Sequence, residues 1–287
     1  NDILLHTDQT GCFDEAGIET ECLGSGQDGD AHPGLKMSGD RFWVIDTVVN
    51  DTWTGLVWHR NANLAKFPLS WDEAIQFVNE MNRQQHSGRS DWRLPTREEL
   101  FSLISHQNIN PCLPENHPFQ NIFDGYYWTR TECARLTNQA WYIHMGGARI
   151  YRGMKHCSYM VWPVSESVPE RNIIKDRFVK QAHSFHDRLT ERTWLNDKRL
   201  DKRAMTWQEA LDRIKKLNEA KVAGYRDWRL PNIRELESLV HLSLNSPAFA
   251  AGHLFNRVHE GYWSATTSLY EPRYAWVLYS KDGAIGV

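Results

Sequence analysis

The sequence predicts an α+β protein in which one module is built twice in tandem. Three observations predict it: segments recur at a fixed offset, each copy carries two helices with matched caps, and aromatic-rich extended segments follow. Ser70-Trp71-Asp72-Glu73-Ala74 returns as Thr206-Trp207-Gln208-Glu209-Ala210, and Asp91-Trp92-Arg93-Leu94-Pro95 as Asp227-Trp228-Arg229-Leu230-Pro231, both 136 residues later. The same offset pairs Asp40-Arg41-Phe42 with Asp176-Arg177-Phe178, Trp58 with Trp194, Leu100 with Leu236 and Pro111 with Pro247. Beyond that it shortens by one, so that Tyr127-Trp128-Thr129 answers to Tyr262-Trp263-Ser264 and Trp141 to Trp276. One register held over this length marks a duplication.

Each copy opens on an extended stretch that ends, in the first, at Gly55-Leu56-Val57-Trp58. An amphipathic helix follows, with Trp71, Ala74, Ile75, Val78 and Met81 on one face of a 3.6-residue period. Ser70 with Glu73, and Thr206 with Glu209, have the spacing of a capping box at its start. After a turn containing Gly88 or Gly224, Trp-Arg-Leu-Pro leads into a second helix. Thr96 with Glu99 and Asn232 with Glu235 cap that helix, and Leu100, Leu103 and Ile104 form its apolar face. The remainder reads as strands. Tyr126–Thr129, Ala140–Ile143 and Ala148–Tyr151, with a Gly146-Gly147 turn, form a hairpin series that Ser158–Trp162 would close. The second copy has Gly261–Ser264, Tyr274–Leu278 and an Asp282-Gly283 turn, with no counterpart of Ser158–Trp162. The natural chain is therefore expected to extend past Val287, and the absence of an initial Met suggests a leader removed or left out.

A chain of 287 residues can bury two cores of ordinary size. The predicted organisation is an acidic extension over 1–35, a first module over 36–166 and a second over 167–287. Residues 1–51 hold eleven acids against Lys36 and Arg41, a net of −9 in a chain of −3, so the remainder carries +6. That is mildly basic and falls short of a nucleic-acid binder. No apolar run reaches the roughly 20 residues of a bilayer span, so no membrane insertion is expected. Of the five cysteines, none forms a C-x-x-C pair. Cys12 and Cys22 close a short loop in a segment poor in apolar residues, where a disulfide would add stability. The hairpin series sets the loop after Trp128 and the loop before Tyr159 at one end, which brings Cys133 and Cys157 within reach and leaves Cys112 free. Spacing does not fix these pairings. The disulfide reading points to an oxidising compartment: periplasm, cell surface or the outside.

The motifs G-L-V-W, S-W-D-E-A, D-W-R-L-P-T-R-E-E-L, Y-Y-W-T and A-W-Y, present across nearly the whole chain, resemble the Lcl C-terminal domain family, also known as domain of unknown function 1566. The lead-ins Thr10-Gly11-Cys12-Phe13-Asp14 and Gly26-Gln27-Asp28-Gly29-Asp30 are similar to what often precedes that domain. The resemblance implies a bacterial extracytoplasmic protein with two C-type-lectin-like α+β modules. It also implies binding in the manner of a trimeric adhesin of sulfated glycosaminoglycans. Arg93–Leu100 is in turn similar to the R-L-P-T-E-x-E-W signature of formylglycine-generating enzymes. Those enzymes hold copper with two late cysteines, which the second copy lacks and the first matches only with Cys133 and Cys157 out of context.

Trp71, Trp92, Arg93, Trp207, Trp228 and Arg229 are read as structural, because a duplicated chain keeps what its fold requires. The other reading makes Arg93 and Arg229 ligand-binding guanidinium groups. Arg130, Arg135, Arg149, Arg152, Lys155 and His156, interleaved with Tyr126, Tyr142, Tyr151 and Tyr159, are candidate ligands for an anionic glycan. The plainer account of that run is a solvated strand face. Lys198, Arg199, Lys202 and Arg203 form a second basic cluster. Calcium at Asp28 and Asp30 has suitable oxygens but lacks the further acids of a calcium loop, and His183 with His186 lacks a third ligand. No catalytic motif is recognisable, and the chain is expected to be a binding protein and not an enzyme. A glycan, a host or matrix polymer or a protein is the expected partner, with oligomerisation open. The alternatives are an enzyme related to the formylglycine-generating group and a structural subunit of a surface assembly.

Overall fold

The computed structural model describes residues 4–35, 40–165, 176–196, 203–249, 255 and 258–287. A short hairpin of β1 (Cys12–Phe13) and β2 (Glu19–Thr20) precedes a single helical turn, α1 (Asp28–Ala31). The first module follows as β3 (Phe42–Ile45), β4 (Val48–Asp51), β5 (Leu56–His59), α2 (Trp71–Arg83), α3 (Arg97–Ser102), β6 (Tyr126–Glu132), β7 (Gln139–His144), β8 (Ile150–Met154) and β9 (Val164–Ser165). The second repeats it as β10 (Phe178–Lys180), β11 (Ser184–Asp187), β12 (Arg192–Leu195), α4 (Trp207–Glu219), α5 (Ile233–Glu237), β13 (Gly261–Thr267), β14 (Ala275–Tyr279) and β15 (Ala284–Gly286). Strand pairing within each module is antiparallel, so the fold is α+β in two repeated modules.

All four capping boxes form as their spacing requires: Ser70, Thr96, Thr206 and Asn232 each accept from the backbone N–H three residues on, and the Glu there accepts in return. Each satisfies two of the N–H groups that a helix start leaves unpaired. Between the helices the chain turns through Gly88 (φ 70°) and Gly224 (φ 87°), in the left-handed region that glycine enters without steric cost. The helix then buries its apolar stripe. Ala74, Val78 and Met81 pack with Trp92, Leu94, Trp128, Ala140, Tyr142 and Val161 in the core of the first module.

The duplication extends to individual hydrogen bonds. Asn82 accepts from Trp92 N (2.6 Å) and donates to its carbonyl (2.8 Å), and Asn218 does the same for Trp228 at 2.7 and 2.8 Å. The Trp71 indole donates to Thr129 O at 2.9 Å, the Trp207 indole to Ser264 O at 2.8 Å. Arg93 forks onto Glu99 (2.6 and 2.7 Å) as Arg229 does onto Glu235 (2.6 Å each). This bidentate pair ties the Trp-Arg-Leu-Pro junction to the cap of the following helix, since Glu99 and Glu235 are also the capping-box acids.

The closing segment differs from expectation. Ser158–Trp162 forms no continuous strand: Tyr159 bridges to Leu69, Met160 to Tyr127, and the regular pairing comes later, Val164 with Trp58 and Ser165 with Val57. A segment that changes partner every few residues cannot build a ladder of its own. Trp162 instead fills the core, edge-to-face with Trp58 (5.5 Å) and Phe119 (4.8 Å).

The chain divides into two compact units, one of residues 37–171 and one of residues 1–36 with 172–287. The acidic N-terminal segment thus folds with the second module. Gln9 exchanges two hydrogen bonds with Thr267, both 2.8 Å, and Asp28 Oδ2 accepts from the Thr7 and Thr266 hydroxyls at 2.8 and 2.6 Å. The Cys12–Cys22 disulfide staples the hairpin that leads to α1. Asp28 is fully buried, and burial pushes its carboxyl from the ordinary 3.8 up to about 6 against the pull of the two hydroxyls. The folded chain therefore holds this proton more tightly than the unfolded chain. The linked stability is present at low pH and declines as pH rises through about 6. A shift of this size corresponds to about 3 kcal/mol. Asp28→Asn is expected to flatten the loss of stability between pH 4 and pH 7, read as urea midpoints against the parent chain; an unchanged slope would assign it elsewhere.

Candidate functional site

Strands β6, β7 and β8 of the first module align Trp128, Tyr142 and Tyr151 in one cross-strand row and Tyr126 with His144 in the next. Directly opposed residues share a face, so these rings meet. Tyr126 lies 4.7 Å from Tyr142 and 4.9 Å from His144, centroid to centroid. Tyr159, carried in by the closing segment, stands 5.2 Å from Tyr126, 5.0 Å from Tyr142 and 4.4 Å from Trp128. It lies over Gly153, where a built Cβ would come within 2.6 Å of its ring, so this position admits no side chain. The Arg149 and Arg152 guanidinium carbons lie 4.9 and 4.7 Å from the Tyr151 centroid.

Tyr142 is buried and forms the floor; Tyr126 is 40% exposed, Tyr151, Tyr159 and His144 are half-buried, and Arg149 is exposed. Burial pushes the Tyr142 hydroxyl up to about 12 and raises that of Tyr159, so both remain protonated donors at neutral pH. Burial lowers the His144 pKa against the pull of the nearby Asp124 carboxylate, and the net shift favours the neutral ring. The face thus offers aromatic surface, hydroxyl donors and one open cation.

The other basic residues named from the sequence are placed differently. Lys155 lies over the Trp71 ring at 4.3 Å and pairs with Glu132, so its charge is engaged. Arg130 is exposed on β6, Arg135 is half-buried in the β6–β7 connection and His156 is exposed in the turn after β8. Lys198, Arg199 and Lys202 lie outside the described residues, and Arg203 pairs with Glu209 at 2.9 Å. His144 is the component that sequence reasoning missed. Its pairing with Tyr126 follows from the strand register and from no motif.

The expected Cys133–Cys157 disulfide is corrected: Cys112, Cys133 and Cys157 are all free thiols. Cys133 is sealed in the β6–β7 turn, while the Cys157 side chain is directed to the Tyr159 hydroxyl. Asp28 and Asp30 do not converge, since Asp28 faces the threonine hydroxyls and Asp30 Oδ2 accepts from Gly26 N at 3.0 Å. His186 sits 3.4 Å from Glu191. Among the described residues no group of three or more His, Cys, Asp or Glu side chains is set to hold a metal ion, and no helix is long and apolar enough to cross a membrane. A groove of about 540 Å³ between β4 and the turn after α2 is lined by Ile45, Val48, Asn50 and the Ser87–Asp91 backbone turn. There the Ser165 hydroxyl donates to Asp91 (2.7 Å) and accepts from Arg89 (2.8 Å), which ties these groups into the fold.

Comparing the copies sharpens the picture. In matching register the second module places Val277 for Tyr142, Gly286 for Tyr151, Gly261 for Tyr126 and Tyr279 for His144. The fold closes without the tyrosines. These features define a duplicated α+β domain protein whose first copy, alone among the described residues, bears an aromatic, arginine-edged face. The sequence profile of the Lcl C-terminal domain matches residues 47–165 and 183–287, most of the chain, and the protein belongs to that family. None of the curated proteins matches it.

Proposed function

We propose that the chain is an extracytoplasmic binding protein, not an enzyme, and that the first module binds an anionic glycan on the face formed by Tyr126, Tyr151, Tyr159, His144 and Arg149. The observation that carries this reading is the difference between the copies: Tyr126, Tyr142 and Tyr151 of the first stand where the second has Gly261, Val277 and Gly286. Stacked tyrosines present flat apolar surface to a sugar ring while their hydroxyls remain available for hydrogen bonds. Arg149 suits a sulfate or carboxylate substituent, which it can meet with two parallel N–H donors. The Cys12–Cys22 disulfide is compatible with an oxidising location.

Binding to heparin-like chains is expected to be salt-dependent, because exposed charges are screened over about 8–10 Å at physiological ionic strength. Arg149→Ala is expected to weaken it about tenfold, the loss of roughly one charge-assisted hydrogen bond. Lys155→Ala, whose ammonium is already engaged, should leave affinity unchanged. Calorimetric titration with a heparin oligosaccharide checks both, and equal effects of the two changes would discard the assignment.

A further inference from the structure

His59, on β5, and His86, in the turn after α2, face each other with their Nε2 atoms 3.1 Å apart and their ring centroids 5.2 Å apart. Such a contact needs one N–H and one bare nitrogen, because a neutral imidazole has one donor and one acceptor whereas a protonated ring has two donors. A proton on each Nε2 sets two donors against each other. His59 cannot withdraw. It is 3% exposed, β4 pairs it with Val48, its carbonyl accepts from the Trp162 indole (2.9 Å) and its ring meets Trp92 edge-to-face at 5.8 Å. His86 is half-buried, on a turn in which Gln85 (φ 50°) and Ser87 (φ 55°) hold the left-handed backbone that residues with side chains rarely adopt.

The second module builds the same turn without histidines. It repeats the left-handed residues as Lys221 (φ 50°) and Ala223 (φ 54°), and the Trp228 indole donates to Val222 O at 2.9 Å as Trp92 does to His86 O at 2.8 Å. Leu195 and Val222 stand at the two histidine positions. An apolar pair therefore serves the turn in one copy and a titratable pair in the other. The charges on the surrounding elements are turned elsewhere. Arg60 Nε donates to Pro118 O (3.2 Å), Arg89 donates to Ser165 (2.8 Å) and lies 3.8 Å from Asp91, Arg83 pairs with Glu80, and Asp46 is exposed between β3 and β4. Burial lowers the His59 pKa from the ordinary 6.5 against the pull of the Asn61 carbonyl, and the neighbouring His86 lowers it further.

We propose that His59 and His86 form a pH-sensitive latch, closed at neutral pH by one N–H between the rings and released in acid when both facing nitrogens are protonated. Release carries His86 outward and parts the Thr47–Ser87 hydroxyl contact (2.7 Å). The 85–89 turn moves with it. That turn forms one wall of the groove beside Ile45, Val48 and Asn50, so the groove is wider in acid than at neutral pH. Kept neutral in the closed state, His59 takes up a proton on release. The closed state is therefore favoured above pH 6.5 and loses ground as pH falls below it. This dependence is opposite in sign to that of Asp28 in the other unit, and it is independent of the glycan reading, which concerns other residues.

The test uses the 287-residue chain and the double change His59→Leu with His86→Val, which installs the residues of the second module. The readout is amide protection, corrected for the intrinsic effect of pH on exchange. In the parent, protection of the Gly88 and Arg89 amides, which donate to Gln85 O and His86 O, is expected to fall about tenfold between about pH 7 and about pH 5, since one linked proton shifts an equilibrium by up to tenfold per pH unit. The matching Gly224 and Tyr225 amides of the second module are expected not to fall, nor are Gly88 and Arg89 in the double variant. Nitrogen NMR shifts of the two rings follow their protonation in the parent itself, so a double variant that fails to fold still leaves a decision. His59 is expected to charge only as the Gly88 and Arg89 protection is lost. Three results would overturn the latch: parent protection that does not change with pH, the same fall in a folded double variant, or both rings charged while the turn stays protected.

Discussion

Trp92→Ala is expected to cost the first module about 3–5 kcal/mol, the range for removing a large ring from a sealed core. Trp92 is 2% exposed, contacts His59 edge-to-face at 5.8 Å and donates its indole N–H to His86 O at 2.8 Å. Alanine forfeits the buried area and strands that carbonyl. The equivalent change in the other copy, Trp228→Ala, breaks a matching 2.9 Å bond to Val222 O. It removes a ring that is already partly exposed, so the transfer loss is smaller. The unequal cost of two identical substitutions is the informative result. Hydrogen exchange resolved by module measures each unfolding free energy separately, which matters because a two-unit chain need not melt in one step. Equal losses would contradict the difference in burial.

Arg41→Met is expected to cost about 3–5 kcal/mol, because it leaves a carboxylate buried without its partner. Arg41 Nε and Nη2 meet Asp51 Oδ1 and Oδ2 at 2.8 and 2.6 Å, with side chains only 4% and 0% exposed. Nη2 also donates to Ser102 O at 3.1 Å, so the pair links the first sheet to the end of α3. The double change Arg41→Met with Asp51→Leu is expected to recover much of the loss, since an apolar pair has no charge to desolvate. In the counterpart Arg177–Asp187 the arginine is more exposed, at 16% against 4%, and Arg177→Met is expected to cost less. Urea denaturation of the single and double variants decides this. A double variant as unstable as Arg41→Met alone would mean that packing, and not the buried charge, sets the cost.

Much of this fold was legible because it rests on local rules repeated twice. The four caps, the apolar stripe of α2 and the Trp-Arg-Leu-Pro junction each declare themselves within ten residues of sequence, and the structure forms each of them. The parts that were not legible depend on long-range pairing. The β3–β4 hairpin pairs Phe42–Ile45 with Val48–Asp51 although Trp43, Val44 and Ile45 are largely exposed, so no alternation of apolar and polar residues announces it. The acidic start of the chain reads as an N-terminal extension, yet Gln9 and Asp28 bond residues more than two hundred positions away. The tyrosine face lay between these cases. Tyr126, Tyr142, Tyr151 and Tyr159 were visible as interleaved aromatics, but their convergence and the addition of His144 required the register of three strands. Lys155 shows the converse. Its spacing suggested a ligand, whereas Trp71 and Glu132 already hold it.

Amide hydrogen exchange of the full chain, with and without a saturating heparin oligosaccharide, tests the central claim most directly. The account predicts slowing confined to residues 126–152 of the first module, with the equivalent strands 261–286 unchanged. Equal slowing in both copies, or slowing only in the second, would contradict the assignment of binding to the tyrosine–arginine face.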